Sequence, residues 1–339
     1  MSSFKPLFIH QFPDWTRFRY NAQSVMDALG QTRLQEGRLT GIADLVNDGD
    51  SEKRILAQDI SASYALDGYT LDPEKVRAEI EKRNAASDEI RNLVGALQNA
   101  KLPLTEERLF AWHAAIGQNK VRKFRTKESS VGSFNGVDAE RLPLEMGRFL
   151  QWFEASTQDG AIKAAVAHFW FLTIRPFEDG NGRIARALTT MLLARSENST
   201  RCQYALNQQI LERKDEYFAQ LARAQSGNGD LTDWILWFLQ TLLESIQKRE
   251  KEIEADRQKV QFLQDSRHKD LNSRERKIVE AVWNGELPAV FSVKEIATYT
   301  GKSHDSALRD IQALIQKGIA RAEHKGGRSQ RYSLTQGMT

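Results

Sequence analysis

Residues 174–186 read Ile-Arg-Pro-Phe-Glu-Asp-Gly-Asn-Gly-Arg-Ile-Ala-Arg. An apolar helical run from Ala161 to Ile174 ends at Pro176, a short loop rich in Gly and Asn follows, and a second helical run starts at Arg183. The loop therefore stands at the N-terminus of a helix. Backbone N–H groups and the positive end of the helix dipole favour a phosphate at such a position.

The side chains of this loop agree with a phosphate ligand. Gly180 and Gly182 allow the backbone to approach an anion closely, and Arg183 and Arg186 lie on one face of the second helix. Asp179 adds a carboxylate oxygen of the kind that Mg²⁺ prefers. We predict a site for a Mg²⁺-bound polyphosphate. The alternative is an ordinary Asp-Gly-Asn-Gly turn followed by two solvated arginines.

The stretch from Pro176 to Arg186 resembles the signature of the Fic family, which reads His, any, Phe, any, Asp or Glu, Gly, Asn, Gly, Arg, any, any, Arg. The resemblance implies a protein adenylyltransferase, which moves AMP from ATP to a Ser, Thr or Tyr hydroxyl of a protein target. It also implies Asp179 as the Mg²⁺ ligand. The positions that it assigns to the phosphates of ATP are Gly180, Asn181, Gly182, Arg183 and Arg186, with Asn181 also a catalytic candidate.

One position departs from the signature, because Arg175 stands where the family has its catalytic His. In the family this His deprotonates the hydroxyl that attacks the α-phosphate of ATP. An arginine remains protonated and offers no acceptor, so Arg175 cannot serve as a general base, although it can hold a phosphate. The sequence therefore predicts an adenylyltransferase scaffold that is impaired or inactive.

A second motif lies upstream, at Ser63-Tyr64-Ala65-Leu66-Asp67-Gly68. It resembles the inhibitory helix of Fic proteins, in which Ser or Thr is followed after three residues by Glu and then by Gly or Asn. The resemblance implies a regulatory role for Ser63, Asp67 and Gly68, with Asp67 pairing with Arg186 and obstructing the γ-phosphate of ATP. Because Asp is one methylene shorter than Glu, we expect a weaker or water-mediated contact. A plain helix end at Asp-Gly is the alternative.

The predicted fold is an all-α Fic core with a small β-hairpin flap, followed by a winged helix-turn-helix domain. The expected boundaries are an N-terminal helical domain at 1–95 with the inhibitory-like motif at 63–68, a Fic core at 96–245, a charged helical linker at 246–270 and the winged helix at 271–339. The flap is expected between Lys120 and Gly136. The resemblance also suggests an adenine contact by Tyr217, while Phe218 is expected in the core.

The C-terminal segment predicts a DNA-binding surface. Residues 266–339 hold 13 Lys and Arg against 8 Asp and Glu, which makes them more basic than the chain as a whole. Helices are expected at about 273–285, 293–299 and 303–317, followed by a hairpin wing. The predicted DNA-facing residues are Lys302, Ser303, His304, Arg309 and, on the wing, Arg328. The same fold used for protein contacts or dimerisation is the alternative.

Composition excludes several other classes of protein. The 339 residues include 27% charged and 9% aromatic residues, which is typical of a folded soluble protein. No apolar run is long enough to span a membrane and no hydrophobic signal region follows Met1, so we expect a cytoplasmic protein. The single cysteine, Cys202, excludes an internal disulfide, and the six histidines have no metal-ligand spacing.

Two functional hypotheses follow from these residues. The first is the impaired adenylyltransferase scaffold, with Mg²⁺ and ATP as ligands and an unknown protein target. The alternative is a DNA-binding transcriptional regulator that senses a nucleotide without turnover. Either protein is expected to act away from membranes, and a homodimer is a further expected assembly.

Overall fold

The computed structural model describes residues 8–46, 49–82, 87–116, 123–264, 270–323 and 330–335. The chain divides into two compact units, Met1–Glu250 and Lys251–Thr339. Within the described residues, no helix combines the length and the apolar character needed to cross a membrane.

The first unit is mostly helical. Short 3₁₀ helices lie at Ile9–Gln11 and Ala139–Arg141. The α-helices that begin in this unit are α1 (Ala22–Val46), α2 (Gly49–Leu66), α3 (Pro73–Glu81), α4 (Asp88–Gln98), α5 (Glu106–Ile116), α6 (Leu142–Ala155), α7 (Gly160–Ile174), α8 (Asn181–Ser196), α9 (Leu206–Glu212), α10 (Lys214–Gln225) and α11 (Thr232–Gln264).

Helix α7 forms the centre of the first unit. Its N-cap is Asp159, whose carboxylate accepts a hydrogen bond of 2.8 Å from the backbone N–H of Ala161. Every residue from Ala161 to Ile174 is buried, which agrees with a helix that is apolar on all sides. Helix α8 packs along it more extensively than any other described pair of elements in the unit, and the loop between the two helices is held by this pair.

Aromatic rings fill the space around α7. The rings of Phe149 and Trp170 meet edge to face at 5.6 Å, and the buried Trp234 donates from Nε1 to the carbonyl oxygen of Ala165 at 2.8 Å. Trp15 is 3% exposed and packs against Trp170, together with the half-buried Phe18. Trp15 and Phe18 thus pack into the aromatic core around α7.

A short hairpin lies between α5 and α6. Its strands are β1 (Ser130–Val131) and β2 (Phe134–Asn135), which pair antiparallel. The prediction placed a hairpin across residues 120–136, but residues 117–122 lie outside the described residues and 123–129 form no strand. The N–H of Arg125 donates instead to the carbonyl oxygen of Pro176 at 2.9 Å. This segment therefore bonds to the loop after α7 rather than to a partner strand.

In its described residues, the second unit contains the end of α11, three further helices and a small antiparallel sheet. The three further helices are α12 (Ser273–Trp283), α13 (Val293–Thr300) and α14 (His304–Gln316). The strands are β3 (Val290–Phe291), β4 (Ala320–Ala322) and β5 (Tyr332–Leu334), with β5 in the middle of the sheet. Capping boxes at Asn272 and Ser292 start α12 and α13, and Gly301 with φ of 66° ends α13.

Candidate functional site

The loop between α7 and α8 is shaped by two residues with left-handed backbone. Arg175 ends α7 with φ of 52° and ψ of 63°, and Gly180 precedes α8 with φ of 75°. A non-glycine residue in this region of φ and ψ is uncommon and costs on the order of 1–3 kcal/mol. The surrounding structure therefore holds Arg175 in a conformation that a free chain would disfavour.

Asn181 closes the loop with both ends of its side-chain amide. Its Nδ2 donates to the carbonyl oxygen of Phe177 at 2.7 Å, and its Oδ1 accepts from the N–H of Phe177 at 3.1 Å. The residue is 3% exposed. The sequence predicted that Asn181 contacts the phosphates. In the structure, its side chain holds the loop in shape through its hydrogen bonds to Phe177.

The first turn of α8 presents free backbone donors. Among the described residues, the N–H groups of Asn181, Gly182 and Arg183 have no hydrogen-bond acceptor, as expected for the start of a helix. Asp179 lies beside them, with its side chain 76% exposed and its Oδ1 accepting from the N–H of Gly180 at 2.6 Å. This arrangement can accept an anion at the helix N-terminus.

Asp179 also fits the predicted role towards Mg²⁺. It is an exposed carboxylate beside the anion-accepting turn, and its Oδ2 pairs with Arg183 at 3.4 Å. The described part of the chain contains no cluster of three or more His, Cys, Asp or Glu that could hold a metal ion. A single carboxylate is nevertheless sufficient where phosphate oxygens complete the coordination of Mg²⁺.

Arg183 and Arg186 are both buried, so the alternative of solvated arginines at these positions is wrong. Arg186 is 2% exposed and donates from Nε to Ser63 Oγ at 2.7 Å and from Nη2 to the Ser63 carbonyl at 2.6 Å. Arg183 is 3% exposed and its guanidinium lies 5.2 Å from the ring centre of Tyr64 and 4.8 Å from that of Tyr69. Residues near the end of α2 thus surround both side chains.

Asp67 contacts both arginines directly. Its Oδ1 lies 2.8 Å from Nη2 of Arg186, and its Oδ2 lies 3.2 Å from Nε of Arg183. The contact is direct, so the water-mediated alternative is wrong. The carboxylate lies directly against Gly182, where the absence of a side chain leaves room for it: a Cβ at Gly182 would lie 2.8 Å from Asp67 Oδ1. Gly68, with φ of 87°, follows at the end of α2.

A neutral hydrogen-bonded chain lies beneath Arg186. Thr189 donates its hydroxyl to the Ala185 carbonyl, so its Oγ1 accepts from Nδ1 of His168 at 2.9 Å. His168 Nε2 then accepts from the Tyr217 hydroxyl at 2.9 Å. Burial, with the Arg186 charge, lowers the pKa of His168 to about 3, and burial raises the pKa of Tyr217 to about 12. Both side chains are uncharged at neutral pH.

The exposure of Tyr217 and Phe218 is the reverse of what the sequence predicted. Tyr217 is 2% exposed, so its ring has no open face for an adenine. Phe218, which we expected in the core, is 42% exposed. Helical periodicity in α10 does not distinguish adjacent aromatic residues, because the packing direction of the helix decides which ring is covered.

Arg125 is a structural residue of the site that sequence reasoning missed. It is 4% exposed, and its Nε donates to the Arg175 carbonyl and its Nη1 to the Lys127 carbonyl, each at 2.7 Å. Its Nη2 donates to the Val137 carbonyl. The guanidinium therefore ties the segment before the hairpin to the loop after α7. In the sequence, the one indication of this role was that Arg125 lies in the segment expected to form the flap.

The N-terminal segment also anchors the hairpin. Nε2 of His10, a residue 3% exposed, donates to the Asn135 carbonyl at 2.8 Å, and the rings of Phe8 and Phe134 meet edge to face at 5.0 Å. Burial lowers the pKa of His10, which keeps the ring neutral. These contacts join segments more than 120 residues apart in the sequence, so no local sequence pattern predicts them.

The predicted DNA-facing residues of the second unit lie together at the start of α14. Ser303 caps the helix and accepts from the N–H of Ser306 at 3.3 Å. Lys302, His304 and Arg309 are exposed. Arg328 lies outside the described residues.

Comparison with known proteins identifies two parts of the chain. Residues 103–193 match the Fic/DOC family, and residues 8–84 match a domain of unknown function, DUF4172. A protein adenylyltransferase fic-1 of Caenorhabditis briggsae is 32% identical over 131 residues, which cover 37% of this chain and 24% of that protein. The protein adenylyltransferase Fic of Drosophila melanogaster is 28% identical over 166 residues, which cover 43% and 34% of the two chains. The matches thus span a quarter to a third of these relatives.

Solved structures share the fold. A Fic family protein from Desulfovibrio desulfuricans G20 has a TM-score of 0.59 at 20% identity, covering 94% of this chain and 98% of that chain. Fic-1 of Caenorhabditis elegans, residues 134–508, has a TM-score of 0.50 at 20% identity, covering 66% and 73%. At these identities the likeness concerns the fold alone.

Proposed function

We propose that this chain, whose residues 103–193 form a Fic/DOC domain, is a nucleotide-binding adenylyltransferase scaffold in which transfer to a protein hydroxyl is impaired. The observation that carries the proposal is the first turn of α8, where free backbone N–H groups lie beside Arg183 and Arg186. The curated relatives that match part of this chain are protein adenylyltransferases, which supports ATP as the nucleotide.

The residues of the loop have separate tasks in binding. The N–H groups of Asn181, Gly182 and Arg183 donate hydrogen bonds to the phosphates of ATP, while the Asn181 side chain keeps the loop in shape. Asp179 holds Mg²⁺, which neutralises phosphate charge when bound. Arg186 joins the phosphates only after its contact with Asp67 is released.

The impairment follows from the chemistry of Arg175. A hydroxyl that attacks the α-phosphate must lose its proton, and a guanidinium has donors but no acceptor. The side-chain contact of Arg175 among the described residues is with the hydroxyl of Ser129, at 3.3 Å, and a serine hydroxyl is not a base at neutral pH. Binding and positioning of ATP therefore remain, while the proton transfer that a hydroxyl acceptor needs is missing.

We also propose that α2 inhibits the site. Asp67 neutralises Arg183 and Arg186, and Ser63 fixes the position of Arg186. An ATP γ-phosphate would compete with the Asp67 carboxylate for the same guanidinium groups. The resting chain is therefore expected to bind ATP weakly.

Intact-mass measurement after incubation with Mg²⁺ and ATP tests the proposal. The four proteins are the native chain, Arg175→His, Asp67→Gly and the double variant. We expect the double variant to gain AMP and the native chain to gain none. AMP on the native chain would show that Arg175 does not prevent the reaction. If no protein gains AMP although the Asp67→Gly chain binds ATP, the chain is a nucleotide sensor.

A DNA-binding regulator is the second candidate, since Lys302, His304 and Arg309 are exposed on one short segment beside the N-terminus of α14. In this proposal the second unit is a winged helix whose α14 enters the major groove. Fluorescence anisotropy with labelled duplex DNA at several salt concentrations tests it. Binding should weaken steeply with salt and fall in Lys302→Ala/Arg309→Ala, but not in the exposed control Arg17→Ala. No binding at low salt would reject this candidate.

A further inference from the structure

Arg175 has unused hydrogen-bond donors at the mouth of the site. Its Nε donates to Ser129 Oγ at 3.3 Å, whereas Nη1 and Nη2 have no partner in the part of the chain that the structure describes. The neighbouring Arg125 differs, because backbone carbonyl oxygens accept from its Nε, Nη1 and Nη2. Arg175 therefore offers the two outer nitrogens of a guanidinium to a ligand between the loop and the hairpin.

The surroundings of Arg175 favour an anion. A Cβ at Gly136 would lie 3.0 Å from the Arg175 Cβ, so the chain after β2 covers this side of the guanidinium stem. Burial and the charge of Arg125 lower the pKa of Arg175, while Asp179 and Asp67 act on it only from a distance. Asp67 is already engaged by Arg183 and Arg186. The positive charge of Arg175 is thus left without a contacting carboxylate among the described residues.

The absence of a general base impairs transfer only to an acceptor group that must lose a proton. A hydroxyl must be deprotonated, but a phosphate monoester is already anionic at neutral pH, since its second pKa is about 6. A guanidinium holds such a group through paired N–H···O bonds. The residue that disables transfer to a hydroxyl is therefore well suited to bind an anionic acceptor.

We propose that the acceptor in this site is a phosphate monoester or inorganic phosphate, held by Nη1 and Nη2 of Arg175. This inference rests on the proposed nucleotide-binding function. An acceptor oxygen attacks the α-phosphorus of ATP, the bond from that phosphorus to the α–β bridging oxygen breaks, and pyrophosphate leaves with the electron pair. The acceptor then carries AMP through a P–O–P linkage. No proton is removed from the acceptor.

As the acceptor, phosphate is favoured over a carboxylate when the bond formed in the transfer is compared with the bond broken. Transfer to phosphate forms one phosphoanhydride while another is broken, so the step is close to balanced. Transfer to a carboxylate would form an acyl phosphate, a more reactive linkage than the one broken. The protein has only to bind, orient and neutralise the reactants, which is what the arginines of this site can do.

The test uses the full chain carrying Asp67→Gly, with Mg²⁺, ATP and ³²P-labelled inorganic phosphate. Attack by labelled phosphate produces ADP with the label in its β-phosphate, and O-phosphoserine in a parallel reaction distinguishes a monoester from free phosphate. Label in ADP should fall about tenfold or more in Arg175→Gln, which keeps a long side chain without the charge. Arg175→His should lose this label and modify hydroxyl groups instead.

Binding measurements separate the inference from the function on which it rests. Calorimetric titration of ATP into the Asp67→Gly chain tests the nucleotide site alone. Titration of inorganic phosphate into the same chain, saturated with an ATP analogue that cannot be cleaved at the α-phosphate, tests Arg175. We expect phosphate binding to weaken about tenfold in Arg175→Gln and to be unchanged in the surface control Arg17→Ala.

Each result of the binding and transfer experiments either supports or overturns the proposed role of Arg175. If ATP binds but phosphate neither binds through Arg175 nor acquires AMP, the inference is overturned and the nucleotide site stands. If ATP does not bind, both fail. The rate with O-phosphoserine as the acceptor should also stay level from about pH 7 to 9, because this monoester is already mostly the dianion there. A rate that rises across this range and is unchanged in Arg175→Gln would indicate a different base and would contradict the role of Arg175.

Discussion

The Asp67 carboxylate bridges Arg183 and Arg186 of α8, with Oδ1 2.8 Å from Nη2 of Arg186 and Oδ2 3.2 Å from Nε of Arg183. One short acidic side chain thus neutralises two cations that are each at most 3% exposed. Buried guanidinium groups require such partners, because an unpaired buried charge is costly. The same two cations are those that an incoming polyphosphate would need.

Removing the Asp67 charge should strengthen ATP binding. Asp67→Asn keeps the size of the side chain but weakens the two charge-assisted contacts, each of which contributes ~1.5–3 kcal/mol. We expect the affinity for ATP to rise about tenfold or more in isothermal titration calorimetry. The matched control is Asp50→Asn, near the N-terminus of α2, where the carboxylate pairs with Arg77 at 3.0 Å and is 62% exposed. Equal affinities in the two variants would show that Asp67 does not compete with ATP.

Two buried serines of α2 provide a paired stability test. Ser63 Oγ accepts from Nε of the buried Arg186, so Ser63→Ala leaves that donor without its acceptor and should cost about 1–3 kcal/mol. Ser61 Oγ is also buried but has no partner among the described residues, so Ser61→Ala should be neutral or slightly stabilising. Urea denaturation gives both values. A loss in Ser61→Ala as large as that in Ser63→Ala would contradict this assignment.

The pH dependence of stability should report the buried carboxyl of Glu197. Burial raises its pKa from 4.5 to about 7, partly offset by the hydrogen bond from the Tyr204 hydroxyl. Between these pH values the unfolded chain is ionised while the folded chain keeps the proton. The free energy of unfolding contributed by this group therefore falls as the pH rises from 4.5 to about 7 and is constant above.

Glu197→Gln removes this titration and keeps an oxygen that accepts from Tyr204. Urea unfolding at several pH values between 4.5 and 7.5 should show a smaller fall than in the native chain. A residual fall is expected from Asp59, whose pKa burial raises to about 7. Glu212→Gln is the control, because the hydrogen bond from Lys248 lowers the pKa of that half-exposed carboxyl. An unchanged slope in Glu197→Gln would disprove the assignment.

Arg125 should be irreplaceable by lysine. Its guanidinium donates to the carbonyl oxygens of Arg175, Lys127 and Val137, and a single ammonium cannot span these acceptors. Arg125→Lys should cost about 1–3 kcal/mol and speed amide hydrogen exchange in residues 129–136. Arg148→Lys, at a half-exposed ion pair with Glu145, should leave exchange in the hairpin unchanged. Native-like exchange in Arg125→Lys would show that the hairpin is held by other contacts.

The elements around the loop followed from the sequence alone. An apolar run ending at Pro176 predicts α7, and the glycines after it predict the turn before α8, because helical period and turn chemistry act over a few neighbouring residues. The loss of the general base at Arg175 could also be predicted from the sequence, because a guanidinium has no hydrogen-bond acceptor in any surroundings. The signature also identified the domain that the Fic/DOC family match covers.

Only the tertiary structure decided how these parts meet. The reach of Asp67 to both arginines depends on how closely α2 approaches Gly182, more than 100 residues away in sequence. The burial of Tyr217 and the exposure of Phe218 depend on the direction in which α10 packs, and the carbonyl oxygens around Arg125 converge only in the folded loop. Local sequence sets conformation over a few residues, whereas contacts between distant segments are set by packing of the whole unit, which leaves no local pattern.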